Sequence, residues 1–322
     1  LALLPAAQAQ IFADVDTSMG GFTIQLNHTA APRTVAIFIG LAAGTRPWIH
    51  HATGAVHSAE PYYNGVTFHR VIAGFMSQTG SRKGDGTDGP GYVFRDELNN
   101  GLTHSGAHIV SMANSGPNSN CSQFFITAAA QPHLNGVHTV FGTISSGQAV
   151  VDAINAVPTT NSKPVTPVVI QSISIRRVGA AAQAFSEHAQ NLPTVAGARP
   201  ALQVTPGGPV SAHFNPPLAA RDEVRLSRSL NLSNWSYLGS LYLAMDDAPE
   251  PVIDGIETNA PSRTFYHYSR ISYPDDGGFS NHALASYQIS YPGETRSYVF
   301  NAAGSGGTVT ITPPAAGTVI PA

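Results

Sequence analysis

Phe68-His69-Arg70-Val71-Ile72-Ala73-Gly74-Phe75-Met76-Ser77-Gln78-Thr79-Gly80 is the densest run of chemistry in this chain. Its first half belongs to a β-like run over residues 66–72, and one arginine, one amide and two large apolar groups follow within nine residues. Two further runs continue the pattern: Ser111-Met112-Ala113-Asn114-Ser115-Gly116-Pro117-Asn118-Ser119-Asn120-Cys121-Ser122-Gln123-Phe124-Phe125-Ile126, and Leu134-Asn135-Gly136-Val137-His138-Thr139-Val140-Phe141-Gly142. They contain no paired carboxylates, no nucleophile elbow and no phosphate-cradling glycine loop. Hydrolysis is poorly provided for. A groove of Phe, Met and Leu edged by Arg, Gln and Asn would instead hold a peptide by its apolar side chain and its backbone.

Outward from these runs the chain reads as many short strands with few helices. Residues 11–16 and 21–26 alternate and flank the turn Ser18-Met19-Gly20-Gly21. Residues 30–43 have helical spacing, with Pro32 near the start, Val35, Phe38, Ile39 and Ala42 on one face, and Gly44 as the stop. Strands are expected at 106–112, 123–127, 139–142 and 168–178, and a second helix at 147–156. The pattern predicts a mainly β, closed barrel with helical caps.

FHRVIAGFMSQTG (68–80), SMANSGPNSNCSQFFIT (111–127) and HLNGVHTVFG (133–142), in this order and at this spacing, resemble the central motifs of the cyclophilin family of peptidyl-prolyl cis–trans isomerases. Gly84-Asp85-Gly86-Thr87-Asp88-Gly89-Pro90-Gly91-Tyr92, followed by Asp96-Glu97, looks like the loop and turn between them. The resemblance covers residues 11–178 and implies a closed antiparallel eight-stranded barrel capped by two helices. It implies that Arg70 is catalytic, and that Phe75, Met76, Phe125 and Leu134 line a proline pocket with His138 and His133 at its edge. Gln78, Ala113, Asn114 and Gln123 then hold the substrate backbone. The implied partners are proline-containing polypeptides.

The reaction makes limited demands. Resonance gives the X–Pro amide a rotational barrier of roughly 18–20 kcal/mol, and twisting the bond makes the prolyl nitrogen pyramidal and basic. A guanidinium, always charged and rich in donors, suits that twisted state, and no cofactor is required. The plainer alternatives are a surface ion pair for Arg70, ordinary core for the apolar set and a structural role for His138. A non-catalytic proline-peptide binding module is the rival function.

The chain departs from the family pattern at a few positions. His133 stands where many eukaryotic cyclophilins carry tryptophan, implying weak cyclosporin binding at most. Cys121 replaces a usual glycine, and Ser115 a usual alanine. Residues 45–64 exceed the family's minimal connection and contain His50, His51 and His57; without a completing carboxylate set beyond Glu60, a solvated insertion is expected and no metal is assigned.

Across 322 residues the net charge is -3 with 11% charged residues, which gives no field suited to nucleic acid. No stretch is apolar for long enough to span a bilayer. Leu1-Ala2-Leu3-Leu4-Pro5 and Ala7-Gln8-Ala9 look like the end of a secretory h-region and a small-x-small cleavage site, so residues 1–10 are expected to be a signal-peptide remnant and the protein periplasmic or extracellular. The single cysteine excludes an intramolecular disulfide. Residues 179–208, with a possible helix at 180–190, are read as linker. Residues 209–322 are read as a second all-β domain, a small sandwich or barrel, with strands at 224–230, 235–243, 264–271, 283–290, 296–300 and 308–312. Its aromatics, Trp235, Tyr237, Tyr242, Phe265, Tyr266 and Tyr268, raise the idea of a glycan or surface-binding unit.

Overall fold

The alternation of the first segments becomes a hairpin, β1 (Gln10–Thr17) with β2 (Gly20–Leu26), whose buried residues recur at every second position. The computed structural model describes residues 9–198, 201–204, 210–218, 222–229, 235–242, 250–257, 265–274, 287–291 and 294–298. By its contacts the chain divides into two units, residues 1–51 with 56–193, and residues 52–55 with 194–322. Most of the expected signal remnant, residues 1–8, lies outside the described residues.

In the first unit α1 (Pro32–Ala43) follows the hairpin, then a short hairpin of β3 (Trp48–Ile49) and β4 (Val56–His57) inside the inserted segment. Next come β5 (Arg70–Ile72), β6 (Met76–Thr79), β7 (Ile109–Met112), β8 (Phe124–Thr127), a 3₁₀ turn (Pro132–Leu134) and β9 (Val140–Ser146). The remaining elements are α2 (Gln148–Asn155), β10 (Thr159–Thr160), β11 (Lys163–Pro164), β12 (Ile170–Val178) and α3 (Ala180–Gln183).

Eight strands form one antiparallel sheet in the order β12-β1-β2-β9-β7-β8-β6-β5. The expected closed barrel is corrected here: the sheet curls, but no ladder joins β5 to β12. One isolated bridge, Thr67 to Val169, spans the seam, with Gly65 N–H to Ile170 O, Ile170 N–H to Val66 O and Phe68 N–H to Val168 O. Beyond Phe68 the β5 edge turns elsewhere, since Val71 N–H donates to Ser162 O at 2.7 Å. Pro164 and Pro167, just before β12, have no N–H to offer a ladder.

Helix α1 is buried from Thr34 to Ala42, more completely than the one-faced pattern predicts. A helix apolar on all sides is a core helix, and Phe38 meets the rings of Tyr63, Phe124 and Phe141 at 5.4–5.5 Å. Pro32 starts it, and Gly44 ends it in the left-handed region at φ 73°. Its N-cap residue, Ala31, has no capping side chain. Glu97 substitutes from 63 residues away, accepting from Arg33 N–H (3.0 Å), Thr34 N–H (2.8 Å) and the Thr34 hydroxyl (2.8 Å). Its charge also faces the positive end of the helix dipole. Glu97→Ala is expected to destabilise this unit by about 2 kcal/mol, and Glu97→Gln by less, because an amide oxygen still accepts one of the bonds. Urea titration followed through the unit's amide NMR signals measures both.

Residues 179–193, read as linker, are tied to the first unit. Arg177 donates to Phe185 O and pairs with Glu187, and buried Arg46 donates to Pro193 O (2.8 Å) and Glu187 O (3.1 Å). Two buried or half-buried guanidiniums take most of their partners from this strap. The expected helix there covers only α3.

In the second unit, β13 (Thr194–Ala198), β16 (Asp222–Ser229), β17 (Trp235–Tyr242) and β19 (Phe265–Ser272) form a four-stranded antiparallel sheet in the order β13-β19-β16-β17. A three-stranded sheet joins β14 (Ala201–Val204), β15 (Val210–Leu218) and β18 (Glu250–Glu257), and β20 (Tyr287–Tyr291) pairs with β21 (Glu294–Tyr298). The strand expected at 308–312 lies outside the described residues. No described helix is long and apolar enough to cross a membrane.

Candidate active site

Strand register sets the site. Arg70 on β5 lies opposite Gln78 on β6, Gln78 opposite Phe125 on β8, and Phe125 opposite Ser111 on β7. Side chains alternate across a sheet, so a guanidinium, an amide, a ring and a hydroxyl form one row on one face. The residues flanking each of them, Val71, Ser77, Phe124, Ile126 and Val110, are buried on the other face. A one-residue slip of β6 would exchange Gln78 for Ser77 and dismantle the row.

Beside the row, Met76, Phe125 and Leu134 form a buried cluster, with Ile72, Phe75 and Ala113 packed against it. The 3₁₀ turn delivers Leu134, where Leu134 N–H donates to Gln131 O and Asn135 N–H to Pro132 O. His138 stands edge-on to Phe125 at 5.5 Å, and its Nδ1 donates to Met112 O at 2.9 Å, so Nδ1 carries the proton of the neutral ring. Exposed His133 stacks near Phe75 at 5.9 Å and 24°. Asn114 Nδ2 donates to Val137 O (2.8 Å), and Ala113 N–H to Gln123 O (3.0 Å).

The polar edge is continuous. Arg70, exposed, donates through Nη1 to Gln78 Oε1 at 3.4 Å, and Gln78 Nε2 donates to Gln123 Oε1 at 3.0 Å. Gln123 Nε2 donates to Gly86 O (2.9 Å) and Asp88 O (2.7 Å). The contacts thus link Arg70 and the amides of Gln78 and Gln123 to the neighbourhood of Phe125, so a buried apolar cluster adjoins a charged donor.

The fold adds two histidines, His104 from outside the motifs and His69 from within the first of them. His104 stacks on Phe125 at 5.9 Å and 11°, and its ring nitrogens meet Asn135 Oδ1 and Ser111 Oγ, each at 3.0 Å. His69 is buried beneath Gly86, and neither ring nitrogen has a protein hydrogen-bond partner. His104 lies in an unremarkable Thr-His-Ser stretch, so only its long-range contacts identify it.

Burial pulls the imidazoles of His50, His69, His104 and His138 below their ordinary pKa, because a charged ring loses its hydration there. In the unfolded chain these rings bind protons near pH 6.5, while in the folded chain they do so only at lower pH. The unfolded state therefore holds more protons between those values, and stability rises with pH across that window. The urea midpoint of the first unit is expected to be lower at pH 5 than at pH 7, and an equal midpoint would contradict this account. Burial also pushes the Cys121 thiol up, which keeps it in its less reactive protonated form.

In the inserted segment His57 stacks on Trp48 at 4.0 Å and 6°, and its Nδ1 lies 2.6 Å from Glu60. His51 Nδ1 lies 3.3 Å from Asp88, and His50 stacks on His51 at 4.7 Å. Among the described residues no group of three His, Cys, Asp or Glu is arranged to hold a metal.

A curled antiparallel sheet that sets an arginine and two amides in a row beside an apolar cluster defines a class: a β protein with the groups to grip a peptide by its backbone and an apolar side chain. Residues 12–175 match the family model described as cyclophilin type peptidyl-prolyl cis-trans isomerase/CLD. The peptidyl-prolyl cis-trans isomerase B of Streptomyces anulatus is 44% identical over 170 residues, covering 52% of this chain and 97% of that protein. The peptidyl-prolyl cis-trans isomerase A of Mycobacterium tuberculosis is 46% identical over 167 residues, 51% of this chain and 91% of its own length. A crystal structure of a Cryptosporidium parvum cyclophilin type peptidyl-prolyl cis-trans isomerase aligns at 30% identity and a TM-score of 0.46, covering 52% of this chain and 98% of that one. This chain belongs to the cyclophilin-type peptidyl-prolyl cis–trans isomerases, and it is an enzyme that isomerises X–Pro peptide bonds.

Proposed function

We propose that Arg70 speeds X–Pro rotation by donating to the amide as it twists, while Met76, Phe125 and Leu134 hold the pyrrolidine ring. The observation that carries this reading is the single row of Arg70, Gln78 and Phe125 beside that apolar cluster. A planar amide offers its nitrogen lone pair to the carbonyl, and the twisted amide offers it to a donor. An arginine donor at that point therefore favours the transition state over either ground state. The 3.4 Å bond to Gln78 occupies one donor of the guanidinium and limits its travel.

Gln78, Ala113, Asn114 and Gln123 hold the flanking backbone, so one side of the bond turns while the other stays fixed. Phe75, His133 and His138 wall the pocket, and with His133 in place cyclosporin binds weakly at most. Atoms are conserved throughout: no bond is made or broken and no proton is transferred. The reaction then needs neither a cofactor nor an acid–base pair.

The clients are exported polypeptides, a setting supported by the apolar and small residues of 1–9. Residues 209–322 act as an appended all-β module that places the isomerase, and the antiparallel ladders joining β15 to β18 and β16 to β17 and β19 support its β character. The test is two-dimensional exchange NMR on an X–Pro peptide with wild type, Arg70→Ala and buffer. Exchange as fast with Arg70→Ala as with wild type would remove the arginine from the mechanism.

A further inference from the structure

We infer that Asp88 is a positioning residue for Arg70, and that the inserted segment reaches the groove by pairing His51 with it. This rests on the reading of Arg70 given above. Asp88 sits in the loop after β6 with its side chain only 5% exposed. Its carboxylate accepts from the Ser81 hydroxyl and from Lys83 N–H (3.1 Å), and it faces His51 Nδ1 at 3.3 Å. The Ser81 oxygen in turn accepts from Gly84 N–H and Gly86 N–H, each at 3.1 Å. One buried carboxylate therefore organises the loop over residues 81–88.

That loop sets the polarity of the amides. Gly86 O and Asp88 O can only accept, so both must meet the NH₂ end of Gln123. Its oxygen is then left for the NH₂ of Gln78, and the Gln78 oxygen for Arg70. Turning either amide over would set donor against donor or acceptor against acceptor. The direction of every bond, from the loop carbonyls to the guanidinium, thus follows from where residues 86 and 88 are held. Gly86 permits the close approach: at φ 81° it lies over His69, and a Cβ there would stand 3.1 Å from His69 Nε2.

The experiment uses the whole chain and a saturating X–Pro peptide, with exchange NMR separating turnover in the complex from affinity. Asp88→Ala is expected to lower turnover about tenfold while affinity stays within about twofold, because the arginine is displaced and the pocket is not. Asp88→Asn, which keeps an oxygen for Ser81, is expected to recover most of the loss. His51→Ala is expected to fall between wild type and Asp88→Ala, and wild-type turnover there would remove the insertion from the proposal. Unchanged turnover in Asp88→Ala overturns the inference, as does a joint fall of turnover and affinity with a lowered melting temperature. Arg70→Ala is measured alongside. If it turns over as wild type does, the catalytic reading itself fails. If it is inactive while Asp88→Ala is not impaired, only the positioning role fails.

Discussion

Arg70→Ala is expected to lower kcat/KM toward an X–Pro peptide by about a hundredfold or more, the usual cost of removing one preorganised donor from a transition state. Arg70 is exposed on the edge strand of the sheet and takes no part in the core, so thermal unfolding should change little. Peptide affinity should also change little, since Met76, Phe125 and Leu134 remain. Arg70→Lys should recover only part of the rate. An ammonium keeps the charge, but its point geometry cannot bond Gln78 and the substrate in one plane as a guanidinium does. A uniform loss of affinity and rate in Arg70→Ala would instead mean that the arginine binds both ground and transition states.

Gly80→Ala is expected to have the largest effect on stability, more than about 3 kcal/mol, and to abolish activity with it. Gly80 follows β6 at φ 93°, where an L side chain is strained. A Cβ there would lie 2.3 Å from Ser122 O and 2.6 Å from Gln123 Cα. These are backbone atoms of the segment leading into β8, and they cannot swing aside as a side chain can. Gly80 O also accepts from the Ser122 hydroxyl at 2.7 Å, a bond that holds the two segments together. Forcing them apart separates Gln78 from Gln123. Gly74→Ala is the control: its φ of 74° is similar, but nothing lies within 4 Å of the added carbon. It should cost only about 1–2 kcal/mol, the penalty of the left-handed backbone alone. Similar losses in both variants would show that close approach of the chains is unimportant at Gly80.

Periodicity carried much of the fold. Pro32 and Gly44 punctuate α1 as their chemistry requires, and the alternation of residues 11–26 becomes β1 and β2. It failed where the partner of an element decides the outcome. Residues 66–69 alternate as well as any strand, yet they meet the β12 end only through the bridge of Thr67 to Val169 and its flanking bonds, and Pro164 and Pro167 have no N–H to carry that pairing on beside β5. Residues 179–193 read as linker because nothing local reveals that Arg46 and Arg177 need partners there.

The site divides in the same way. Arg70, Gln78, Phe125 and Leu134 were named from motifs that three adjacent strands, β5, β6 and β8, and a turn carry, and spacing within a strand decides which residues share a face. Glu97 on the end of α1, His104 on Phe125, and the bonds of Gln123 to Gln78 and Gly86 depend on contacts across 21 to 64 residues of sequence, and only the packed sheet decides those. A polar side chain acquires its role from the orphaned donor or acceptor it meets, and that meeting has no periodicity to read. Residue types and alternation thus determined what chemistry this protein has available. The tertiary structure decided which amides Arg70 meets, and from which direction.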